Sequence, residues 1–375
     1  MGATRMRIGL IIYGSLETTS GGYLYDRKLV EHLRAAGEEV QILSLPRRRY
    51  ALCLADNFSV SLYGRLRRSP FDVLLQDELN HPSLFWLNRR LRGRVGFPII
   101  SIVHHLRSSE VHPVWLNALY RRIERHYLAS VDGFVFNSQT TRRTVEALLG
   151  AQRPAVVATP AADHLGLGLS PQQIADRVRA GGPLRVIFVG NLIPRKGLHT
   201  LLDALASLPS GSWHLTAVGN LSVNTAYVRS IRRQTERLGL SKHVLLTGAL
   251  GETELITLLS HSDVLAVPSS YEGFGIVYLE GMAFGLPAIA TRAGAAAEIV
   301  THGLDGFLVP AGDVAALSAC LSILATDRER LLTMSLAARE RYTRHPTWAE
   351  MGAQVRDFLK SSLLPMPHVA DLPID

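Results

Sequence analysis

Two glutamates, Glu272 and Glu280, are separated by seven residues in a segment that reads as strand, loop and helix. An apolar run at 264–267 predicts a short buried strand, and Pro268 ends it. Gly273 and Gly275 then predict a loop that a ligand approaches closely, before a helical pattern begins. A loop of this kind usually binds phosphate at the helix N-terminus. Two carboxylates indicate that the ligand also carries hydroxyl groups, which carboxylates accept.

A second group of chemically capable residues follows another predicted strand. Val189 ends that strand, Gly190 and Asn191 come next, and Arg195 and Lys196 directly precede a helical pattern. Arginine contacts two oxygens of an anion at once and lysine acts as a point charge. The pair therefore predicts an anion site at the end of the strand, although a surface turn with incidental cations would give the same pattern.

Two further pairs follow strands in the first half of the chain. Gly21 and Gly22 come after the first strand, where they fit either a phosphate loop or a simple turn. His104 and His105 follow an apolar run, which places at least one imidazole at a strand end; a structural histidine pair is the alternative. Zinc is disfavoured because neither an H-E-x-x-H motif nor a cysteine cluster accompanies them.

Alternating strands and helices must position these residues, in two halves joined by a linker at 160–182 with a short helix inside it. The first half has predicted strands at 6–13, 40–45, 72–76, 99–103 and 133–136, with helices at 23–36, 113–129 and 140–149. The second has strands at 184–189, 214–218, 244–247, 264–267 and 288–290, with helices at 198–208 and 226–238 and one carrying Glu280. Two parallel sheets in tandem predict a ligand cleft between the halves, at the carboxyl ends of the strands.

The composition is that of a globular protein with a full core, with 47% hydrophobic and 19% charged residues. No apolar run approaches the 18 or so residues of a membrane span, and two cysteines fit a reducing cytoplasm. Up to residue 180 there are 24 Lys and Arg against 15 Asp and Glu, whereas the rest has 16 against 17. The basic half is expected to face an anionic membrane or an acidic substrate, and an arginine-rich solvated surface is the alternative.

The segment with the two glutamates resembles the E-x7-E region of retaining glycosyltransferases of family 4. The likeness includes Phe274-Gly275 and the G-L-P-A-I-A-T run from Gly285. The segment from Val189 to Gly197 is similar to the VGR…KG motif of the family, with Asn191 in place of its arginine. Val135-Phe-Asn-Ser and the stretch from Gly294 to Pro310 resemble two of its architectural elements.

The resemblance implies an α/β protein of the GT-B fold, with two Rossmann-like domains whose parallel sheets face an interdomain cleft. The domains expected from it are 1–165 for the acceptor and 183–345 for the nucleotide sugar. A helix at about 347–363 is expected to cross back onto the first domain, and the tail at 364–375 is expected to be disordered.

The resemblance also assigns roles to the residues singled out above. It implies that Arg195 and Lys196 hold the donor diphosphate, that Glu272 and His104 contact the sugar, and that Glu280 accepts from the ribose hydroxyls; His105 is the reserve for His104. The remaining donor contacts implied are Gly21, Gly22, Asn191, Gly273, Phe274, Gly275 and Ile276.

The expected reaction is transfer of a sugar from a nucleotide-diphosphate sugar to an acceptor hydroxyl, with retention, on a lipid-linked or other cell-envelope glycan. Family chemistry implies attack from the front face with the leaving phosphate as base, so the glutamates are not a glycosidase pair. No Asp-x-Asp triplet is present, so neither a metal nor another cofactor is expected. The expected location is the cytoplasm, peripheral on the inner membrane face, without nucleic acid as a partner.

Two other functions remain open at this point. Asn191 in place of the family arginine motivates a non-catalytic sugar-nucleotide binder or an inactive partner subunit. A dinucleotide oxidoreductase is disfavoured because the residues after the first strand, from Gly14 to Gly22, do not spell G-x-G-x-x-G.

Overall fold

The computed structural model describes residues 5–363, which form two compact α/β units. The first unit runs to Pro160 and resumes at Trp348; the second is Ala161–Thr347. The second unit therefore begins before the predicted start at 183, and most of the stretch predicted as a linker belongs to it. The tail expected to be disordered, 364–375, lies outside the described residues.

The first unit is built on a six-stranded parallel sheet in the order β2-β1-β3-β4-β5-β6. Its strands are β1 (Arg7–Tyr13), β2 (Glu39–Leu45), β3 (Val73–Asp77), β4 (Ile99–Val103), β5 (Gly133–Phe136) and β6 (Ala155–Val157). Its helices up to β6 are α1 (Gly21–Ala35), α2 (Tyr50–Cys53), α3 (Val60–Arg68), α4 (His81–Leu91), α5 (Val114–Leu128) and α6 (Gln139–Leu149). Every residue of β3 and β4 is buried, as expected for central parallel strands covered on both faces.

The second unit has its own six-stranded parallel sheet, in the order β12-β11-β10-β7-β8-β9. Its strands are β7 (Leu184–Val189), β8 (Trp213–Val218), β9 (Val244–Gly248), β10 (Val264–Ala266), β11 (Ala288–Thr291) and β12 (Gly306–Val309). Its helices are α7 (Pro171–Arg179), α8 (Leu198–Ala206), α9 (Thr225–Arg237), α10 (Glu252–His261), α11 (Ile276–Ala283), α12 (Val314–Thr326) and α13 (Arg328–Thr343).

The last helix, α14 (Trp348–Ser362), packs on α1 of the first unit. Gly352 permits a close approach, since a Cβ there would lie 2.3 Å from Cγ of His32. Arg356 donates to the buried Glu38 carboxylate at 2.7 Å, and Glu38 also accepts from the backbone of Met6. Among residues 5–363, no helix combines the length and apolarity needed to span a bilayer.

Each sheet has one point at which the order of strands reverses. In the first unit β1 is flanked by β2 and β3; in the second β7 is flanked by β8 and β10. Ligands of open α/β sheets bind outside the carboxyl ends of the strands at such a point. The loops after β1 and β3, and those after β7 and β10, are therefore the positions at which to look for a site.

The prediction of two parallel α/β sheets is confirmed, and the bounds of β4, β5 and β7 match those predicted. The sequence analysis missed helices α2, α3, α4, α10, α12 and α13 and strands β6 and β12. The two missed strands are short, with three and four residues, and too brief for a periodic pattern to establish.

Candidate active site

The loops after β7 and β10 meet at the reversal point of the second sheet. Val264 pairs with Val186 and Leu265 with Ile187, so the two strands end side by side. The backbone N–H of Ser270 donates to the carbonyl of Arg195 at 2.8 Å, which joins the two loops directly. The residues that the sequence placed in two separate motifs are thus brought together.

Glu272 is the centre of this cluster. Lys196 Nζ donates to Glu272 Oε1 at 2.5 Å, and Ser269 Oγ donates to the same oxygen at 2.6 Å. Arg195 Nη1 lies 3.9 Å from Glu272 Oε2 and donates to the carbonyl of Tyr271 at 2.7 Å. Glu272 is only 6% exposed, so this is a largely desolvated carboxylate between two cations.

The charge state of Glu272 follows from these contacts. Burial alone would raise the pKa of the Glu272 carboxyl, but the charges of Lys196 and Arg195 and the hydrogen bonds from Lys196 and Ser269 outweigh it and hold the pKa below its ordinary value. Glu272 is therefore an anion at neutral pH. The cluster thus brings the cations Arg195 and Lys196 together beside the loop, and both types of side chain bind anionic ligands.

A glycine makes the approach of the two loops possible. Gly197, at the start of α8, has φ +75°, and a Cβ there would lie 2.2 Å from the carbonyl oxygen of Pro268. Any other residue would force the β7 loop away from the β10 loop. Asn191 lies half-buried directly after Gly190, and its carbonyl accepts from Ile193.

The glycine loop after Glu272 leads into α11 as predicted. Phe274 is buried and packs at 5.9 Å from the ring of His345. Gly275 precedes the helix and Ile276 is its first residue, so the N–H groups of the first turn lack acceptors within the helix. These N–H groups can donate hydrogen bonds to a ligand oxygen. Gly273 lies in the same loop.

Glu280 lies on α11, and its carboxylate has a partner that the sequence did not reveal. His164 Nε2 is 3.3 Å from Glu280 Oε1, and both side chains are mostly buried. His164 belongs to a short 3-10 turn, Asp163–Leu165, in the stretch predicted as a linker.

In the first unit, Gly21 and Gly22 do not form a loop. They are the first two residues of α1, whose N-cap Ser20 accepts from the N–H of Tyr23. The prediction of a glycine-rich loop here is wrong because Ser20 caps the helix before the glycines. Gly22 instead gives room to His104: a Cβ on Gly22 would lie 3.1 Å from His104 Cδ2.

His104 follows β4 directly and is 8% exposed. Its Nε2 lies 3.2 Å from Asp26 Oδ1 on α1, and its carbonyl accepts from Asn137 Nδ2 at 2.7 Å. Burial would lower the pKa of His104, but Asp26, Asp77 and Glu78 outweigh it and raise the pKa above its ordinary value. His105 is more exposed and pairs with Glu110 at 3.1 Å.

The surroundings of His104 are rich in buried acids. Burial and the charge of Asp26 raise the pKa of Asp77 to about 8, and burial raises that of Glu78 to about 7. Over residues 5–363, groups of three potential metal ligands occur twice, both in this unit: Asp26 with Asp77 and His104, and Glu78 with His81 and Glu124.

Four polar partners of the site escaped the sequence analysis, namely Asp26, Asp77, His164 and Ser269. Asp77 carried a usable signal, since it ends a buried strand. Asp26 and His164 carried none, because each meets its partner only through tertiary packing.

Similarity to known proteins agrees with this geometry. The model described as "Glycosyl transferases group 1" matches residues 170–341, and that described as "Glycosyltransferase Family 4" matches residues 25–164. A phosphatidyl-myo-inositol mannosyltransferase of Mycobacterium leprae is 30% identical over 93% of this chain and 95% of its own length. The chain belongs to glycosyltransferase family 4.

This glycosyltransferase has further relatives and structural neighbours. A GDP-mannose-dependent alpha-(1-6)-phosphatidylinositol monomannoside mannosyltransferase of Mycobacterium tuberculosis is 30% identical over 68% of this chain and 69% of its own. Sucrose-phosphate synthase from Thermosynechococcus elongatus superposes with a TM-score of 0.81 at 22% identity, covering 95% of this chain and 99% of that one. Anabaena Alr3699/HepE in complex with UDP and glucose superposes with a TM-score of 0.75 at 21% identity, covering 95% of this chain and 100% of that one. The fold is GT-B, and the enzyme is a glycosyltransferase of class EC 2.4.

Proposed function

We propose that this glycosyltransferase moves a sugar, with retention at the anomeric carbon, from a nucleotide-diphosphate sugar to a hydroxyl of a lipid-linked or other cell-envelope glycan. The observation that carries the proposal is the cluster of Arg195 and Lys196 around the buried, ionised Glu272. Its two cations suit a diphosphate, and its carboxylate suits sugar hydroxyls.

The relatives supply the classes of donor and acceptor. One is named as GDP-mannose-dependent, and two are named for phosphatidylinositol acceptors, which are lipids. GDP-mannose is therefore the first donor to test, and a lipid-linked polyol the first class of acceptor.

Each residue has a role that fits its surroundings. Lys196 and Arg195 bind the diphosphate, with Arg195 supplying the charge that the family arginine would bring at Asn191. Glu272 accepts from sugar hydroxyls, while the first turn of α11 donates to the ligand. Glu280, oriented by His164, accepts from the ribose. His104 contacts the sugar near the reacting carbon, and Gly22 gives it room.

We also propose that the donor diphosphate is neutralised without a metal ion. Lys196, Arg195 and the N-terminus of α11 stabilise the leaving group electrostatically. Transfer should persist after removal of divalent cations with EDTA, and an absolute requirement for added Mg²⁺ or Mn²⁺ would contradict this.

A screen of GDP-, UDP- and ADP-sugars for hydrolysis and transfer, with product detection, tests the function. We expect turnover with one donor class and loss of turnover in Lys196→Ala. The matched control is Lys242→Ala, which removes an exposed lysine of the same unit. Nucleotide binding without turnover, across the whole panel, would instead favour a non-catalytic binder.

The proposal includes contact with an anionic membrane through the first unit. Apolar side chains are exposed there beside exposed arginines, which suits anionic lipid headgroups. Tyr50 of α2 packs at 4.8 Å on Tyr120 of α5, so the segments concerned are neighbours. We call this the apolar–basic surface. It comprises the exposed apolar residues Leu52, Phe58, Val60, Val111, Val114, Trp115 and Leu119 and the exposed arginines Arg121, Arg122 and Arg125.

Co-sedimentation with liposomes tests this contact. Val114 and Trp115, 88% and 72% exposed, are replaced together by serine. We expect the wild-type protein to bind more strongly as the fraction of phosphatidylglycerol rises and more weakly as salt is added. The double variant should lose this binding. Leu167→Ser is the control, since Leu167 is an equally exposed apolar residue of the second unit. Binding without dependence on anionic lipid would refute the contact.

A further inference from the structure

Three buried ionisable groups meet at the carboxyl ends of β3 and β4 in the first unit. Asp26 comes from α1, Asp77 ends β3 and His104 follows β4. One oxygen of each carboxylate and one imidazole nitrogen all lie within 4.8 Å of one another. Asp26 is 0% exposed and Asp77 is 1% exposed, so water contributes almost nothing to their solvation.

Each carboxylate has one partnered oxygen and one without a partner. Asp26 Oδ1 faces Nε2 of His104, and Asp77 Oδ1 accepts from the N–H of Leu79 at 3.0 Å. In the described part of the chain, residues 5–363, neither Asp26 Oδ2 nor Asp77 Oδ2 has a hydrogen-bond partner. Two buried carboxylates this close cannot both stay charged without compensation, so a proton or a cation must be shared here.

The surroundings favour a proton on Asp77. Burial and the neighbouring Asp26 charge raise the pKa of Asp77 to about 8, which favours its protonated form near neutral pH. Asp26 is the carboxylate that faces the imidazole. The ionisable groups that face His104 are Asp26 and Tyr25 of α1, Asp77 of β3 and Glu78 of the turn after it.

The ring of His104 is held on several sides. Tyr25 meets it edge-on with centroids 5.2 Å apart, Gly22 packs on Cδ2, and Asn137 fixes the backbone carbonyl. Nε2 of His104 faces Asp26, whereas Nδ1 forms no hydrogen bond with any of residues 5–363. The arrangement leaves one defined nitrogen for a ligand.

We propose that Asp26 is the positioning residue of His104: its carboxylate holds a proton on Nε2 and fixes the ring so that Nδ1 is available to the sugar donor. The proposal rests on the function proposed above, in which His104 contacts the sugar. A carboxylate behind a catalytic imidazole sets its tautomer and charge.

The charge and tautomer of His104 are measured by NMR on the histidine-¹⁵N-labelled protein, with the His104 signals assigned from a His104→Gln variant. We expect a proton on Nε2 and a titration midpoint above that of free histidine. Asp26→Asn should lower the midpoint by about one pH unit or more, while Asp72→Asn leaves it unchanged. Asp72 is a suitable control because it pairs with Arg7 elsewhere in the same unit.

A midpoint that Asp26→Asn does not move would overturn the proposal. If Asp26→Asn fails to fold, Asp26→Glu takes its place, since it keeps the carboxylate and shifts it by one methylene. The tautomer and the titration midpoint of His104 in the wild-type protein then still test the proposal. This measurement needs no donor or acceptor, so its failure is distinct from failure of the transferase assay.

Kinetics give a second readout. Asp26→Asn should lower kcat by about 10–100-fold, as loss of an orienting partner does, with little change in the KM of the donor. In a His104→Ala background the same change should cost almost nothing, because Asp26 acts only through His104. Equal effects with and without His104 would mean a purely structural role and refute the proposal.

Calorimetry with Zn²⁺ and Mn²⁺ tests whether a bound cation, rather than a proton, compensates the charge of the two buried carboxylates. We expect no binding that depends on Asp77. Stoichiometric binding of either cation that Asp77→Asn abolishes would make the three groups a metal site and overturn the shared-proton arrangement.

Discussion

The two units place charged clusters at equivalent positions, the carboxyl ends of central strands, but balance them in opposite ways. In the second unit the buried Glu272 is compensated by Lys196 and Arg195, which keep its pKa low. In the first unit, burial and the charge of the neighbouring Asp26 raise the pKa of Asp77 to about 8. One cluster is neutralised by fixed cations and the other by a proton.

The difference suits two tasks in the proposed reaction. Cationic side chains beside a buried carboxylate suit the binding of a diphosphate. A proton shared among acids and an imidazole responds to its neighbours, which suits a side chain near the reacting carbon. The comparison can be tested by removing the compensating element from each cluster.

The largest effect is expected from Lys196→Ala. It removes a residue proposed to bind the diphosphate and leaves Arg195 as the cation beside the buried Glu272, so transfer should fall more than about 100-fold. The free energy of unfolding should fall by about 3 kcal/mol, as when one partner of a buried ion pair is lost. Steady-state kinetics and urea denaturation measure the two.

Adding Glu272→Gln separates these effects. It should restore much of the lost stability, because the unpaired charge is gone, without restoring transfer. A double variant no more stable than Lys196→Ala would show that Glu272 depends little on Lys196.

Gly197→Ala is expected to come next. The left-handed backbone and the contact with the Pro268 carbonyl together should cost at least about 2 kcal/mol and separate Lys196 from Glu272. Gly211→Ala is the matched control, since Gly211 has φ +80° with open space around its Cβ position. It should show only the backbone cost of about 1–2 kcal/mol. Equal losses in the two variants would mean that the loops tolerate the displacement.

The pH dependence of stability should have opposite signs in the two clusters. The pKa of Asp77 is raised from 3.8 to about 8, so its contribution to stability is lost as pH rises through this range. Asp77→Asn should therefore match the wild type near pH 4 and exceed it by a growing margin as pH rises to 9, since each unit of the raised pKa is worth about 1.4 kcal/mol.

Glu272→Gln should behave in the reverse manner. The pKa of Glu272 lies below its ordinary value of 4.5, so its stabilisation is present above that pH and is lost as pH falls through the folded-state value. The deficit of the variant should therefore be full at pH 7 and shrink under acid. Denaturation midpoints of both variants and the wild type are measured across pH 3–9. If the stability of the two variants relative to the wild type changed with pH in the same direction, the comparison would be refuted.

The sequence revealed one cluster far better than the other, for a physical reason. Arg195, Lys196 and Glu272 lie in loops whose glycines and strand ends leave a recognisable local pattern, so both motifs could be predicted to lie at strand ends. The pairing of Asp26 with His104 joins residues 78 positions apart and depends on how α1 packs against β4. The room that Gly22 gives to the His104 imidazole could not be predicted either, because this contact exists only after folding.

Gly22→Ala is expected to give the smallest effect and the most selective one. Alanine favours the helix by up to about 1 kcal/mol, but its Cβ would lie 3.1 Å from His104 Cδ2, so the ring must move by a few tenths of an ångström. Stability should change little, while kcat falls several-fold and the His104 signals shift. Gly64→Ala is the control: Gly64 lies in α3, and its Cβ would meet only the flexible end of Arg68. That variant should gain stability and keep full activity. If Gly22→Ala did the same, the position of the His104 ring would not limit transfer, and the first-unit cluster would matter only for its charge.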